Sequence, residues 1–191
     1  MHNGLKSDTL APIDINDYPA IKAHLNEFWA KIEKRSDKGV TPYNLRNCAY
    51  MNDFSKPKIV WGEISDKPKF AIDTDGQYYA EATTFFMTGA VSLPYLVCFL
   101  NSKLSEYFFS KIGTTTGVGT VRWKKYKVET LPVPVVDSYI MDEFEKILGS
   151  LLDYQKQELD YHEWEDAINR KIYKLFSLTD AEIAFIEQAV E

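Results

Sequence analysis

Residues 113 to 127 read Gly-Thr-Thr-Thr-Gly-Val-Gly-Thr-Val-Arg-Trp-Lys-Lys-Tyr-Lys. This stretch carries the residue types best suited to chemistry with a polyanion. Gly117 and Gly119 lack side chains and let a backbone approach a partner closely. The hydroxyls of Thr114, Thr115, Thr116 and Thr120 can donate to phosphate oxygens or base edges, unless the loop simply has no partner. Arg122 offers a planar fork that matches the O6 and N7 acceptors of guanine; a surface ion pair is the competing reading. Lys124, Lys125 and Lys127 suit phosphate contacts, which position a protein without reading sequence. Trp123 and Tyr126 are interleaved with these cations, and the alternation around Trp123 favours a core position over a stacking platform.

Four further residues are secondary candidates. Ser102 and Lys103 open a helix whose N-terminus can hold a phosphate, with plain capping the equal alternative. Arg46 and Lys58 are the others, although Lys58 starts a strand and can serve as edge protection.

Other chemistries find little support. No acid is followed two residues later by lysine, the usual metal-holding pattern of a nuclease. His2, His24 and His162 are dispersed, and Cys48 and Cys98 form no CxxC pair, so a metal site is not expected. There is no GxxxxGK[ST] segment, and Gly117-Val-Gly119 does not sit in a strand-to-helix dinucleotide fingerprint. Asp73 and Asp75 bracket a turn, where Asp is favoured for local hydrogen bonding. No cofactor is therefore expected in this chain.

The net charge of −6 opposes nucleic-acid binding only on average. Residues 1–136 carry 17 Lys/Arg against 14 Asp/Glu, whereas residues 137–191 carry 5 against 14. Between Asn101 and Lys127 there are six basic residues and one acid, Glu106. Salt screens charges beyond about 8–10 Å, so the local balance governs the field near a polyanion. Two cysteines and no apolar signal core fit a reducing cytoplasm. The longest apolar run, Val91 to Leu100, is too short to cross a bilayer.

The elements that must position these residues follow from periodicity and punctuation. Apolar residues Ile21, Leu25, Phe28, Trp29 and Ile32 predict a helix over 18–35, with Pro19 in its first turn. A loop covers 35–42, and 43–50 is ambiguous. Lys58 to Ile64 reads as a strand. Phe70 to Asp73 and Gln77 to Ala80 flank Thr74-Asp75-Gly76 as an expected hairpin. Residues 83–88 read as another strand. Ser92 caps a buried helix with Pro94 in its first turn, Asn101-Ser102 breaks it, and a second helix runs to about Lys111. Val118 to Trp123 suits extended structure, and Leu131-Pro-Val-Pro134 marks a boundary. The pattern is helical from 137 to 176, and Thr179-Asp-Ala-Glu182 is a capping box for a final helix. These elements predict an α+β fold with a mixed sheet, an N-terminal helix and a long C-terminal helical segment. The expected division is a recognition region over 1–136 and a helical segment over 137–191 packing on it.

Several segments together resemble the TaqI-like C-terminal specificity domain, the target recognition domain of adenine-N6 DNA methyltransferases and fused restriction–modification enzymes. They are Tyr18-Pro-Ala-Ile-Lys22, Lys34-Arg-Ser-Asp-Lys-Gly39, Thr41-Pro-Tyr-Asn-Leu-Arg46, Lys56-Pro-Lys-Ile-Val-Trp61, Leu100-Asn-Ser-Lys-Leu104, the 113–127 loop, Leu131-Pro-Val-Pro134 and the closing stretch Ile168 to Thr179. Order and spacing carry the resemblance from about residue 14 onward. It implies a module that reads a short sequence in double-stranded DNA beside a methyltransferase or nuclease domain of the same or a partner chain. It also implies that catalysis and S-adenosylmethionine binding reside on that other domain, because the Asn/Asp-Pro-Pro-Tyr motif and glycine-rich cofactor loop of family enzymes do not occur here. The chain is thus expected to be non-catalytic by itself. A protein–protein docking module is the alternative, suggested by the acidic helical tail. An enzyme with an unfamiliar site is a weaker third reading.

Overall fold

The computed structural model describes residues 3–4, 10–89, 91–115 and 120–190. By packing, the chain divides into two compact units, Met1–Asp53 and Phe54–Glu191.

In the first unit, a single 3-10 turn at Ile15–Asp17 is capped by the Asp14 carboxylate, which accepts from the Asn16 N–H. The helix expected over 18–35 is two helices, α1 (Pro19–Glu27) and α2 (Trp29–Ile32). Phe28 separates them with φ −106° and ψ 13°, outside the helical region. Its N–H bonds back to Leu25, tightening the end of α1. Most of the predicted apolar stripe stays exposed, including Ile21, Phe28 and Trp29. The unit is ordered around Asn44, whose side-chain amide donates to the Ile13 carbonyl at 3.0 Å and whose carbonyl accepts from Gly39 N and Arg35 Nη2.

The second unit is an α+β body. β1 (Lys58–Gly62) lies between β3 (Phe70–Asp73) and β4 (Thr84–Met87), both antiparallel to it. A second small sheet joins β2 (Ile64–Ser65), β6 (Val121–Arg122) and β5 (Thr114–Thr115), again antiparallel. Pairing among the described strands is thus antiparallel throughout, where a mixed sheet was expected. β3 and β4 flank β1 without pairing to each other, so residues 74–83 carry the chain across the central strand. Glu63 alone separates β1 from β2, so one bend passes the chain from the first sheet to the second.

The expected hairpin at 74–76 does not form. β3 pairs with β1, and Gln77–Ala80 is not a strand. The Asp73 carboxylate accepts the backbone N–H groups of Gln77 and Tyr78 at 3.2 and 3.0 Å, giving this backbone an alternative to a ladder. Gly76 makes the turn with φ +67°, and a Cβ there would stand 2.2 Å from the Ser55 carbonyl oxygen. Only glycine fits.

Helices close one face of the first sheet. α3 (Leu93–Leu100) starts at Ser92, whose hydroxyl accepts from Tyr95 N, with Pro94 in the first turn. α4 (Lys103–Ile112) follows after Asn101, and α5 (Lys125–Val128) is a single turn after β6. α6 (Ser138–Lys156) and α7 (His162–Leu175) form an antiparallel pair, reversed where Glu158 takes φ +55°. The capping box expected at Thr179 and Glu182 is present and opens α8 (Asp180–Ala189). Ile59 and Trp61 point from β1 into a core shared with Phe99, Phe109, Phe144 and Ile172. Removing such side chains from water contributes about 1.5–3 kcal/mol each. The segment from 137 onward therefore shares its core with the sheet.

Candidate nucleic-acid interface

The small sheet carries Arg122, and Lys124, Lys125 and Lys127 follow it at the start of and within the helical turn α5. In its register Ile64, Arg122 and Thr114 lie side by side across β2, β6 and β5. Side chains alternate along a strand. Val121 and Trp123 therefore turn to the opposite side from Arg122, and Trp123 is buried there. Its indole stacks on Phe109, with centroids 3.9 Å apart and planes 10° apart, and meets Phe70 edge-on. Its Nε1–H donates to the Ser65 carbonyl, while its own carbonyl accepts from Trp61 Nε1 at 2.8 Å. Trp123 is thus a core residue, as its alternating segment predicts, and it anchors the ribbon to the body.

On the outward side, Arg122 Nη1 donates to Glu63 Oε1 at 3.0 Å, and Lys124 Nζ lies 3.8 Å from the same oxygen. Arg122 is thus in an ion pair, but about 40% of its side chain stays accessible. The Lys124 carbonyl opens α5 by accepting from Lys127 N and Val128 N. Lys125 is exposed and stands 3.6 Å from Glu129 one turn on. The Lys127 ammonium sits 6.0 Å above the ring of Tyr126, which is itself exposed. Thr120 is half-buried at the start of the returning strand, and Thr114 is exposed. Thr116, Gly117 and Gly119 lie outside the described residues, as does the side chain of Thr115.

The remaining candidates separate from this ribbon. Ser102 is buried; its hydroxyl donates to Phe99 O and accepts from Ser105 N–H, so the capping alternative is the one realised. The Lys103 N–H is taken by the Asn169 side chain and its ammonium by Glu187 at 3.3 Å. Ser102 thus caps α4, while Lys103 ties the start of that helix to α7 and α8. Lys58 is fully buried, with its ammonium on the Asp73 carboxylate and on the Phe54 carbonyl. Neither DNA contact nor edge protection describes it: β1 is the central strand, and the amine is consumed inside the unit. Burial pushes the Asp73 carboxyl up, but the Lys58 ammonium and the Tyr78 and Gln77 N–H groups outweigh that and bring it to about 2. Arg46 is exposed in the first unit.

Sequence reasoning passed over Glu63. Nothing local marks it, because its partners are about sixty residues away. Two clefts of about 870 and 910 Å³ open, the second lined by β3 as well as by helices, and none of Thr114, Arg122, Lys124, Lys125 or Lys127 lines either. Among the described residues, no group of three His, Cys, Asp or Glu side chains comes together as a metal site. No helix among them is long and apolar enough to cross a membrane.

Fold and site together define an α+β module with a cation-bearing ribbon anchored on aromatic rings. The family model for the TaqI-like C-terminal specificity domain matches residues 14–133, and the chain belongs to that family. This places it with the target-recognition parts of restriction–modification enzymes. The matched residues stop before α6, so the closing-helix pattern at 168–179 lies outside them. No curated protein matches the chain.

Proposed function

We propose that this chain binds double-stranded DNA sequence-specifically, as the recognition module of a restriction–modification methyltransferase, and is not catalytic by itself. The observation that carries the reading is the ribbon: Thr114 pairs with Arg122, Glu63 holds Arg122 beside Lys124, and Trp123 locks the reverse side, with exposed Lys125 next along the chain. A cationic edge that lines neither cleft fits a groove of a polymer better than a small molecule, which needs a pocket. Lys125 and Lys127 hold phosphates, while Arg122 reads a base edge through the donors that Glu63 leaves open. A methyltransferase domain of the same or a partner chain supplies S-adenosylmethionine and extrudes the target adenine.

The test is binding of the chain to a pool of duplexes with a randomised centre, across salt concentrations and with sequencing of the bound fraction. Affinity is expected to fall linearly in log–log form with salt, and a short motif is expected to be enriched. Salt-independent retention with no enrichment would reject the reading. A protein-docking role has one observation in its favour: acids such as Glu145, Asp153 and Glu163 stay exposed along α6 and α7. That role predicts binding that follows a protein partner and ignores the duplex.

A further inference from the structure

We infer that Glu63 is a positioning and specificity residue for Arg122, holding its fork for a base edge and disfavouring phosphate. This inference rests on the DNA-recognition reading and assigns a role within it.

Glu63 is the single residue between β1 and β2, and its backbone is fixed from two sides. Its N–H donates to the Thr83 carbonyl at 3.2 Å, and its carbonyl accepts from Trp123 N–H at 2.7 Å. Trp123 is the buried anchor directly after Arg122, so the carboxylate and the guanidinium are referenced to the same rigid point. The carboxylate then bonds Arg122 Nη1 and lies near Lys124 Nζ. All three side chains are partly buried, at 28% accessible for Glu63, 40% for Arg122 and 37% for Lys124. Water therefore screens this cluster less than an exposed pair.

Two consequences follow. A free arginine side chain loses rotamer freedom on binding, and a guanidinium already tethered through Nη1 loses less of it at that moment. Guanine needs two donors, and the Nε–Nη2 edge of Arg122 has no partner among the described residues. The second consequence is electrostatic. A phosphate approaching Arg122 and Lys124 meets a fixed carboxylate between them, which repels it and already fills the oxygen position a phosphate would take. Guanine O6 and N7 are neutral acceptors and suffer far less from the same charge. Glu63 thus weakens non-specific binding more than specific binding, which raises the ratio of the two.

Glu63→Gln is the informative change, because it keeps shape and both main-chain hydrogen bonds while removing the charge. Measured on the full chain with the randomised duplex pool, E63Q is expected to bind the unselected pool about threefold to tenfold more tightly. Its log–log salt slope should steepen by about one phosphate. Enrichment at the base position that Arg122→Ala erases should fall about fivefold or more. Glu63→Asp keeps the charge but shortens the reach. It should retain weak binding to the unselected pool while losing part of the enrichment, which a purely structural role for Glu63 would not produce. If E63Q enriches the same bases to the same degree as wild type, or weakens all duplexes equally, the role of Glu63 is overturned and the recognition reading stands. If the wild-type chain enriches nothing, the recognition reading falls first.

Discussion

β1 has a carboxylate–cation site at each end, and the two do different work. At its start, Lys58 and Asp73 are sealed from water, with side chains 0% and 5% accessible. Just past its end, Glu63, Arg122 and Lys124 are each about a third accessible. Charge chemistry is the same in both, but solvent is not. The buried pair has no surface on which to meet a ligand. Its ammonium bonds the Phe54 carbonyl, and its carboxylate gathers the N–H groups of Gln77 and Tyr78, so it ties the 74–78 turn to the sheet. The accessible cluster bonds Arg122 through Nη1 and leaves part of each side chain open to water. One ionic site specifies the backbone path, and in the proposed function the other exchanges contacts with DNA.

Breaking the buried pair gives the largest expected effect. Lys58→Met should lower unfolding free energy by about 3–5 kcal/mol, because it strands a carboxylate in the interior. Denaturant melts measure this, and adding Asp73→Leu to the same chain should cost much less than the sum of the two single changes. The salt slope of DNA binding in still-folded Lys58→Met should match wild type. A change there would mean Lys58 contacts phosphate after all.

The pH dependence of stability sharpens the same contrast. Asp73 titrates near 2 in the folded chain, below the ordinary carboxylate value near 3.9. Its contribution is therefore fully present above about pH 4 and is lost as pH falls toward 2. Acid melts of Asp73→Asn should be flatter across that window than those of wild type. Equal slopes would mean that the folded chain does not hold this carboxyl below its unfolded value.

At the accessible end the effects are smaller and appear in binding. Arg122→Ala should cost about 1–3 kcal/mol of discrimination at one base position, seen in the sequenced pool, with little change in melting temperature. Lys125→Ala should be the mildest change. It is expected to weaken all duplexes alike and reduce the salt slope by about one, because Lys125 is exposed and its partner Glu129 is only a surface neighbour. Base-selective loss in Lys125→Ala would reverse the roles given to the two residues.

Much of the scaffold was legible in the residues themselves. Ser92 and Thr179 cap the helices they were expected to cap, and Trp123 sits in the core as its alternating segment implied. The α+β class and the specificity-domain family were likewise readable. Legibility failed where a local signal met a distant competitor. Thr74-Asp75-Gly76 has hairpin chemistry, but the Asp73 carboxylate captured the backbone that would have formed the returning strand. Lys58 looked like a strand-edge cation, although its partner fifteen residues on draws it into the interior.

The caps at Ser92 and Thr179 are decided within a few residues by hydrogen bonds, so the sequence alone determined them, along with the charge asymmetry between residues 1–136 and 137–191. Which cation is buried and which is presented was decided only by tertiary structure. Lys58 and Arg122 carry the same charge, and their fates depend on carboxylates brought from 15 and 59 residues away. The free energy of an ion depends on the water and partners around it, and those are fixed only once the chain has folded.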